Sequence, residues 1–288
     1  MSHKLHPGTK LGVVKLKISD LERSLKFYED VVGLRLLKQH GRTAELTVDG
    51  STALLILEEV PNAVITPPRS FSGLYHFAIL LPTRKDLGLA LRRLIESGIE
   101  IGQADHLVSE ALYISDPDHN GIEIYRDRPR EEWNINSDGT VRMASDPIDW
   151  DGLLQEAGST AWSGMPAGTT MGHVHFHIGD MAKARRFYCD VLGFDIVADW
   201  MRMGALFIAA GGYHHHVGLN LWAGAGAPPT PPNGTGIDYF TIVQPNDEET
   251  AKVAESAAAA GFEPTKQDGA IFLTDPFGIR VKLVSEGK

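Results

Sequence analysis

Apolar and polar residues follow the same order in two distant parts of this chain. SDLERSLKFYEDVVGLRLL (Ser19 to Leu37) and GDMAKARRFYCDVLGFDIV (Gly179 to Val197) align without a gap at an offset of 160 residues. In both, an Asp precedes apolar positions three and four apart, followed by Phe-Tyr, Val-x-Gly and a new apolar run. The three-four spacing predicts an amphipathic helix. Asp20 and Asp180 suit its N-terminus, and Gly33 and Gly193 suit the left-handed stop before a strand. Just upstream, LGVVKLKISD (Leu11 to Asp20) and MGHVHFHIGD (Met171 to Asp180) share the alternating frame of a strand.

A weaker match joins LYHFAILLPTRKDLGLALRRLIESG (Leu74 to Gly98) to IDYFTIVQPNDEETAKVAESAAAAG (Ile237 to Gly261). Each reads as strand, polar turn, helix and glycine. Short alternating segments follow every helix, among them AELTVD, ALLILEE, EALYISD, NGIEIY, ALFIAAG, HHVGLNLW, AIFLTD and IRVKLVS. The chain therefore parses into four βαβββ units, 9–60, 71–126, 170–224 and 235–286, an α+β fold. In chain order these form a first pair, 9–126, and a second, 170–286. A connector, 127–169, carries one short helical candidate, DGLLQEAG.

Composition narrows the function. The 288 residues can bury a substantial core. The net charge of -10, with both signs mixed along the chain, offers no basic stripe for a phosphate backbone, so nucleic acid is an unexpected partner. No apolar run approaches the roughly 18 residues of a membrane span, and the polar start MSHKLHPGTK lacks a secretory h-region, so a cytoplasmic protein without a membrane partner is expected. Cys189, the single cysteine, lies beside Tyr188 on a helix face and reads as packing rather than as a nucleophile.

DHLVSEALYISDPDHNGIEIY, Asp105 to Tyr125, carries the most specific residues: His106, then Leu112-Tyr113, Asp116-Pro117 and Glu123. With the fourfold repeat, this resembles the vicinal oxygen chelate superfamily of glyoxalase I, bleomycin-binding proteins and type I extradiol dioxygenases. Within it the chain is most similar to bacterial catechol 2,3-dioxygenases of four-module build. Ala104 and His119 depart from the signature without removing a chemical group. The resemblance covers nearly the whole chain and implies two cup-shaped mixed β-sheet barrels. It also implies a metal held by one His from the first strand of one module, one His from the first strand of its partner, and a Glu from that partner's last strand.

Carried over residue by residue, these ligands are His173, His76 and Glu123; the other modules have Val13, Tyr239 and Lys282 in their places. Pairing in chain order leaves both cups incomplete. Pairing units two and three gives one complete set, and all three losses then fall together in the cup of units one and four. Loss of one redundant site would clear a single set, which favours the exchanged pairing; a homo-oligomer that pairs the units between chains would give the same set.

Two imidazoles and one carboxylate leave other positions on a divalent ion open, as in non-haem Fe(II) oxygenases. The resemblance thus implies Fe(II), with Mn(II) satisfying the same ligands, and a small aromatic diol and O2 as partners. It gives His106 and Tyr113 acid–base roles, suited to an imidazole and a phenol. On their own, His76 between Tyr75 and Phe77 would read as a packed core histidine and Glu123 as a solvated strand residue.

In GYHHHVGLNLW, read as a strand, His214 and His216 share a face, and His216 is the favoured substrate-side residue. His175 and His177 share parity with His173 and are expected to line the cavity or pack. The expected activity is extradiol ring cleavage of a catechol. A glyoxalase-type lyase or isomerase, commonly with Ni(II) or Zn(II) and two acidic ligands, is the alternative, but GGYHHHVGLNLWAG holds no carboxylate. A metal-free aromatic- or antibiotic-binding protein would not need the three ligands together.

Overall fold

The computed structural model describes residues 3–137 and 139–287. Unit one contributes β1 (Lys10–Ile18), α1 (Leu21–Phe27), β2 (Arg35–His40), β3 (Thr43–Thr47) and β4 (Ala53–Glu59). Unit two contributes β5 (Gly73–Leu80), α2 (Arg84–Ser97), β6 (Gly102–Asp105), β7 (Ser109–Ser115) and β8 (Gly121–Asp127). The connector forms α3 (Trp150–Ala157). Unit three follows with β9 (Thr170–His177), α4 (Met181–Arg185), β10 (Asp195–Trp200), β11 (Ala205–Ala209) and β12 (Val217–Asn220). Unit four has β13 (Gly236–Gln244), α5 (Asp247–Ala259), β14 (Thr265–Gln267), β15 (Ala270–Thr274) and β16 (Arg280–Ser285).

The strands form two eight-stranded mixed sheets, and neither follows chain order. Units one and four share one sheet, in the order β14-β15-β16-β13-β1-β4-β3-β2, through the antiparallel pair β1 and β13. Units two and three share the other, β10-β11-β12-β9-β5-β8-β7-β6, through β5 and β9. One half of β9 supplies the core between the sheets, where Val174 and Phe176 are fully buried and the Phe176 ring lies 5.3 Å from that of Phe240 on β13. The other half, at alternate positions, carries the three histidines.

The repeated helices start and stop as their sequences predict. Asp20 and Asp180 accept the backbone N–H of Arg23 and Lys183, which satisfies a free donor of each first turn. Both helices then widen into a π turn, Tyr28–Val32 and Arg186–Val191. Gly33 (φ +89°) and Gly193 (φ +95°) follow these turns in the left-handed region that admits glycine without strain. The two π turns also bolt the sheets together: the buried Tyr28 hydroxyl donates to Asp116 of unit two at 2.9 Å, and the Tyr188 hydroxyl to Asp275 of unit four at 3.0 Å. Burial pushes both carboxyls up, Asp275 to about 7, so each bond contributes the about 0.5–1.5 kcal/mol of an ordinary hydrogen bond. Among the described residues no helix is long and apolar enough to cross a membrane.

Candidate active site

Sheet register brings the three predicted ligands together. Ala78 on β5 lies opposite His173 on β9 and, on its other side, opposite Glu123 on β8. His76 stands two residues before Ala78, so its side chain leaves the same face. Ala78 is fully buried, and its neighbours His76, Glu123 and His173 are nearly so. Tyr113 on β7, opposite Glu123, extends the row.

One ligand atom from each of His76, Glu123 and His173 lies within 4.8 Å of the others. Glu123 Oε2 is 3.0 Å from His173 Nε2 and 3.1 Å from His76 Nε2. The second contact lacks hydrogen-bond alignment, and His76 Nε2 is left buried without a partner. A buried, unpaired nitrogen beside a carboxylate is costly in a protein alone and is satisfied by a cation placed between them. Burial pushes the Glu123 carboxyl up, but His173 and His76 outweigh it and hold it well below the ordinary carboxylate range. Burial pushes His173 down to about 4, so at neutral pH its ring is uncharged, the form that ligates metal. The donor set fits a divalent ion such as Fe(II) or Mn(II).

His76 and Glu123 line a cavity of about 290 Å3 whose walls include Tyr75, Met143, Trp200, Phe207 and Trp222, and His173 lies behind them in contact with the lining His215 ring. A larger hollow of about 500 Å3 shares His76 and Tyr113 with it, but the smaller cavity is the one that Glu123 lines. His106 and Tyr113 stand together on its wall. His106 Nδ1 lies 2.6 Å from the carbonyl oxygen of Ala144, which only an N–H can satisfy, so Nε2 is the acceptor of the Tyr113 hydroxyl at 2.7 Å. Burial and the neighbouring Glu123 push the Tyr113 phenol well above its ordinary value, so it stays protonated.

His175 and His177 are occupied by Asn220 of β12. The His177 Nδ1–H donates to Asn220 Oδ1 at 2.6 Å, and Asn220 Nδ2 donates to His175 Nε2 at 2.9 Å. Gly218 permits this close stacking, because a Cβ there would lie 2.7 Å from the His175 ring.

The expectation for His216 is corrected. The segment from Gly211 to His216 is a turn and a bend, and the strand begins only at Val217, so two-residue parity does not govern the run. His216 turns away from the cavity: its Nδ1 accepts the backbone N–H of Ala210, and its ring packs 4.9 Å from Tyr213. His215 lines the cavity instead, with its ring 4.1 Å from that of His173. Burial, and then His173, push His215 well below the ordinary histidine range, so it is a neutral ring. Met143 and Ser145, from the connector, also line the cavity.

Comparison with known proteins gives the chain's family and its fold. A sequence model described as Glyoxalase/Bleomycin resistance protein/Dioxygenase superfamily matches residues 10–124 and 170–283. A protein of Bacillus subtilis (strain 168) named catechol-2,3-dioxygenase is 53% identical over 272 residues, covering 94% of this chain and 95% of that protein. Among solved structures, a putative dioxygenase from Bacillus subtilis subsp. subtilis str. 168 superposes with a TM-score of 0.68 at 13% identity, over 99% of this chain and 87% of the other. Glyoxalase I from Zea mays gives 0.55 at 15% identity, over 96% and 92%. Four βαβββ units in two mixed sheets, with a match over both halves, make this chain a member of the glyoxalase/bleomycin resistance protein/dioxygenase superfamily.

Proposed function

We propose that the protein is an extradiol dioxygenase that opens the ring of a catechol with O2, using Fe(II) held by His76, Glu123 and His173. The observation that carries this reading is the buried set of two imidazoles and a single carboxylate, of which His76 and Glu123 line an aromatic-walled cavity. The 53% identity to a protein named catechol-2,3-dioxygenase supports it. A glyoxalase-type reading wants a second acidic ligand, and the ligand group holds one carboxylate.

Bound there, Fe(II) would supply Lewis acidity toward a chelating diol and the one-electron chemistry that lets O2 react with an aromatic ring. The protein's own groups do the rest. Tyr75, Phe207 and the two tryptophans present flat apolar surface to a ring. No lysine or arginine is among the described lining residues, so no side-chain cation would pair a carboxylate on the substrate, and an uncharged catechol suits the walls. The His106 and Tyr113 pair holds one proton between an imidazole and a phenol at the cavity edge, ready to move when charge develops beside it. His215, neutral and facing the same space, is the group suited to accept a proton from the diol.

The test is anaerobic loading with Fe(II) followed by catechol in air. A yellow ring-fission product and uptake of one O2 per catechol are expected, with no uptake on phenol, which cannot chelate. Isomerisation of methylglyoxal with glutathione, without O2 uptake on catechol, would overturn the reading.

A further inference from the structure

Behind His215 the hydrogen bonds form a line that leads out of the cavity. His215 Nδ1 and His214 Nδ1 are 2.8 Å apart, and His214 Nε2 is 2.8 Å from Asp127 Oδ1. His214 is fully buried, whereas the Asp127 side chain is 24% exposed, so the line runs from the cavity wall to the edge of solvent. Asp127 is also gripped from its other oxygen: the Tyr213 hydroxyl donates to Oδ2 at 2.9 Å, and the Tyr125 and Tyr213 hydroxyls are 2.7 Å apart.

Each bond in this line allows one proton arrangement when both rings are neutral. A carboxylate only accepts, so His214 carries its proton on Nε2 and its Nδ1 is a bare acceptor. The short contact between the two Nδ1 atoms then requires a proton on His215 Nδ1. His215 Nε2 is thereby left without a proton. No hydrogen bond from protein is made to that atom among the described residues, and the ring lines the cavity.

We propose that Asp127 and His214 are positioning residues that lock His215 as the Nδ1-protonated tautomer, so that its Nε2 meets the substrate as a proton acceptor. The assignment rests on the dioxygenase reading for its consequence but not for its geometry. When Nε2 takes the proton of a substrate hydroxyl, the O–H bond breaks and the N–H bond forms. The charge on His215 is then shared through its Nδ1–H with His214 and Asp127, with no change in electron count. Without Asp127 nothing fixes the order. His214 can turn its proton inward, donate from Nδ1 and leave His215 protonated on the cavity side, where it opposes proton removal.

The tautomer is read directly by long-range proton–nitrogen NMR correlation of the histidine rings in metal-free protein, which needs no turnover. The expected wild-type spectrum has His215 protonated at Nδ1 and bare at Nε2. Asp127→Asn should lose that pure signature and Asp127→Glu should retain it. With Fe(II) and catechol, Asp127→Asn should lower kcat by on the order of 10- to 100-fold with little change in KM. In a His215→Gln background the same change should cost less than about twofold, because its route of action is gone. A wild-type His215 protonated at Nε2 would overturn the assignment. An equal kcat loss from Asp127→Asn with and without His215 would do so as well, since it would mean a structural role. Absence of ring cleavage in wild type would remove the dioxygenase reading alone, and the spectrum would still decide the tautomer.

Discussion

The two sheets repeat one backbone plan and fill their concave faces with opposite chemistry. In the sheet of units two and three, His76, His173 and Glu123 converge with Tyr113 beside them. At the matching places in the other sheet stand Tyr239, Val13, Lys282 and Phe272. There the Lys282 ammonium lies 5.5 Å above the Tyr239 ring and that of Lys15 lies 5.9 Å from it. Lys15 pairs with Glu58 at 2.5 Å and Asp238 at 3.1 Å, and Arg280 pairs with Asp238 at 2.8 Å while covering Phe272. The partly buried Lys15 is opposed by burial, but Glu58 and Asp238 outweigh that and push its pKa up, so it keeps its charge. The second cup thus contains its own cations, tethered covalently, where the first offers donors to a mobile one. The fold supplies convergence, and a handful of side chains decides whether the convergence point gathers metal donors or cations held over aromatic rings and by carboxylates.

The largest effect should come from breaking the first cup. His173→Ala is expected to abolish tight Fe(II) binding and all ring cleavage, as read by metal analysis of the desalted protein. Tyr239→Ala at the matching place in the second cup should leave iron content at the wild-type level. Equal loss in both would contradict the contrast between the cups.

Next in size are the groups proposed to act beside the three ligand candidates. Tyr113→Phe and His106→Gln should keep near-normal iron yet lose turnover by on the order of 10²- to 10⁴-fold, the range for a positioned acid or base. Steady-state O2 uptake together with iron content separates these outcomes. Iron loss in either variant would make that residue a ligand.

Much of this contrast was legible in the sequence because it rests on spacing. The ungapped repeat placed Asp20, Asp180, Gly33 and Gly193 at helix ends, and the complementary losses at Val13, Tyr239 and Lys282 pointed to the exchanged pairing that the two sheets adopt. What the pattern missed depends on irregular backbone. His215 escapes the pattern because two-residue parity holds in a strand and not in the bend that carries it. Asp127 was placed at the start of the connector, yet it is the last residue of β8 and holds His214. Met143 and Ser145 reach the cavity from a connector without periodicity, for which spacing has nothing to say.

Smaller effects sharpen the comparison. Lys282→Met removes a cation from above Tyr239 in the second cup and should cost about 0.5–1 kcal/mol in urea unfolding, with iron content and ring cleavage unchanged. Cys189 should be silent for both cups. Burial pushes its thiol up to about 11, so near pH 8 only about one molecule in a thousand carries the reactive thiolate. Its reaction with a disulfide reagent is expected to be slow in folded protein and fast in urea. Rapid modification of the folded protein with loss of turnover would give that cysteine a role that its packing does not suggest.

The central claim, that one cup binds metal and its twin does not, is tested most directly by crystals grown with Fe(II) under anaerobic conditions and measured on both sides of the iron absorption edge. The account predicts one anomalous peak per chain, within coordination distance of His76, Glu123 and His173, and none between Tyr239 and Lys282. A peak in the second cup, or none among those three residues, would contradict it.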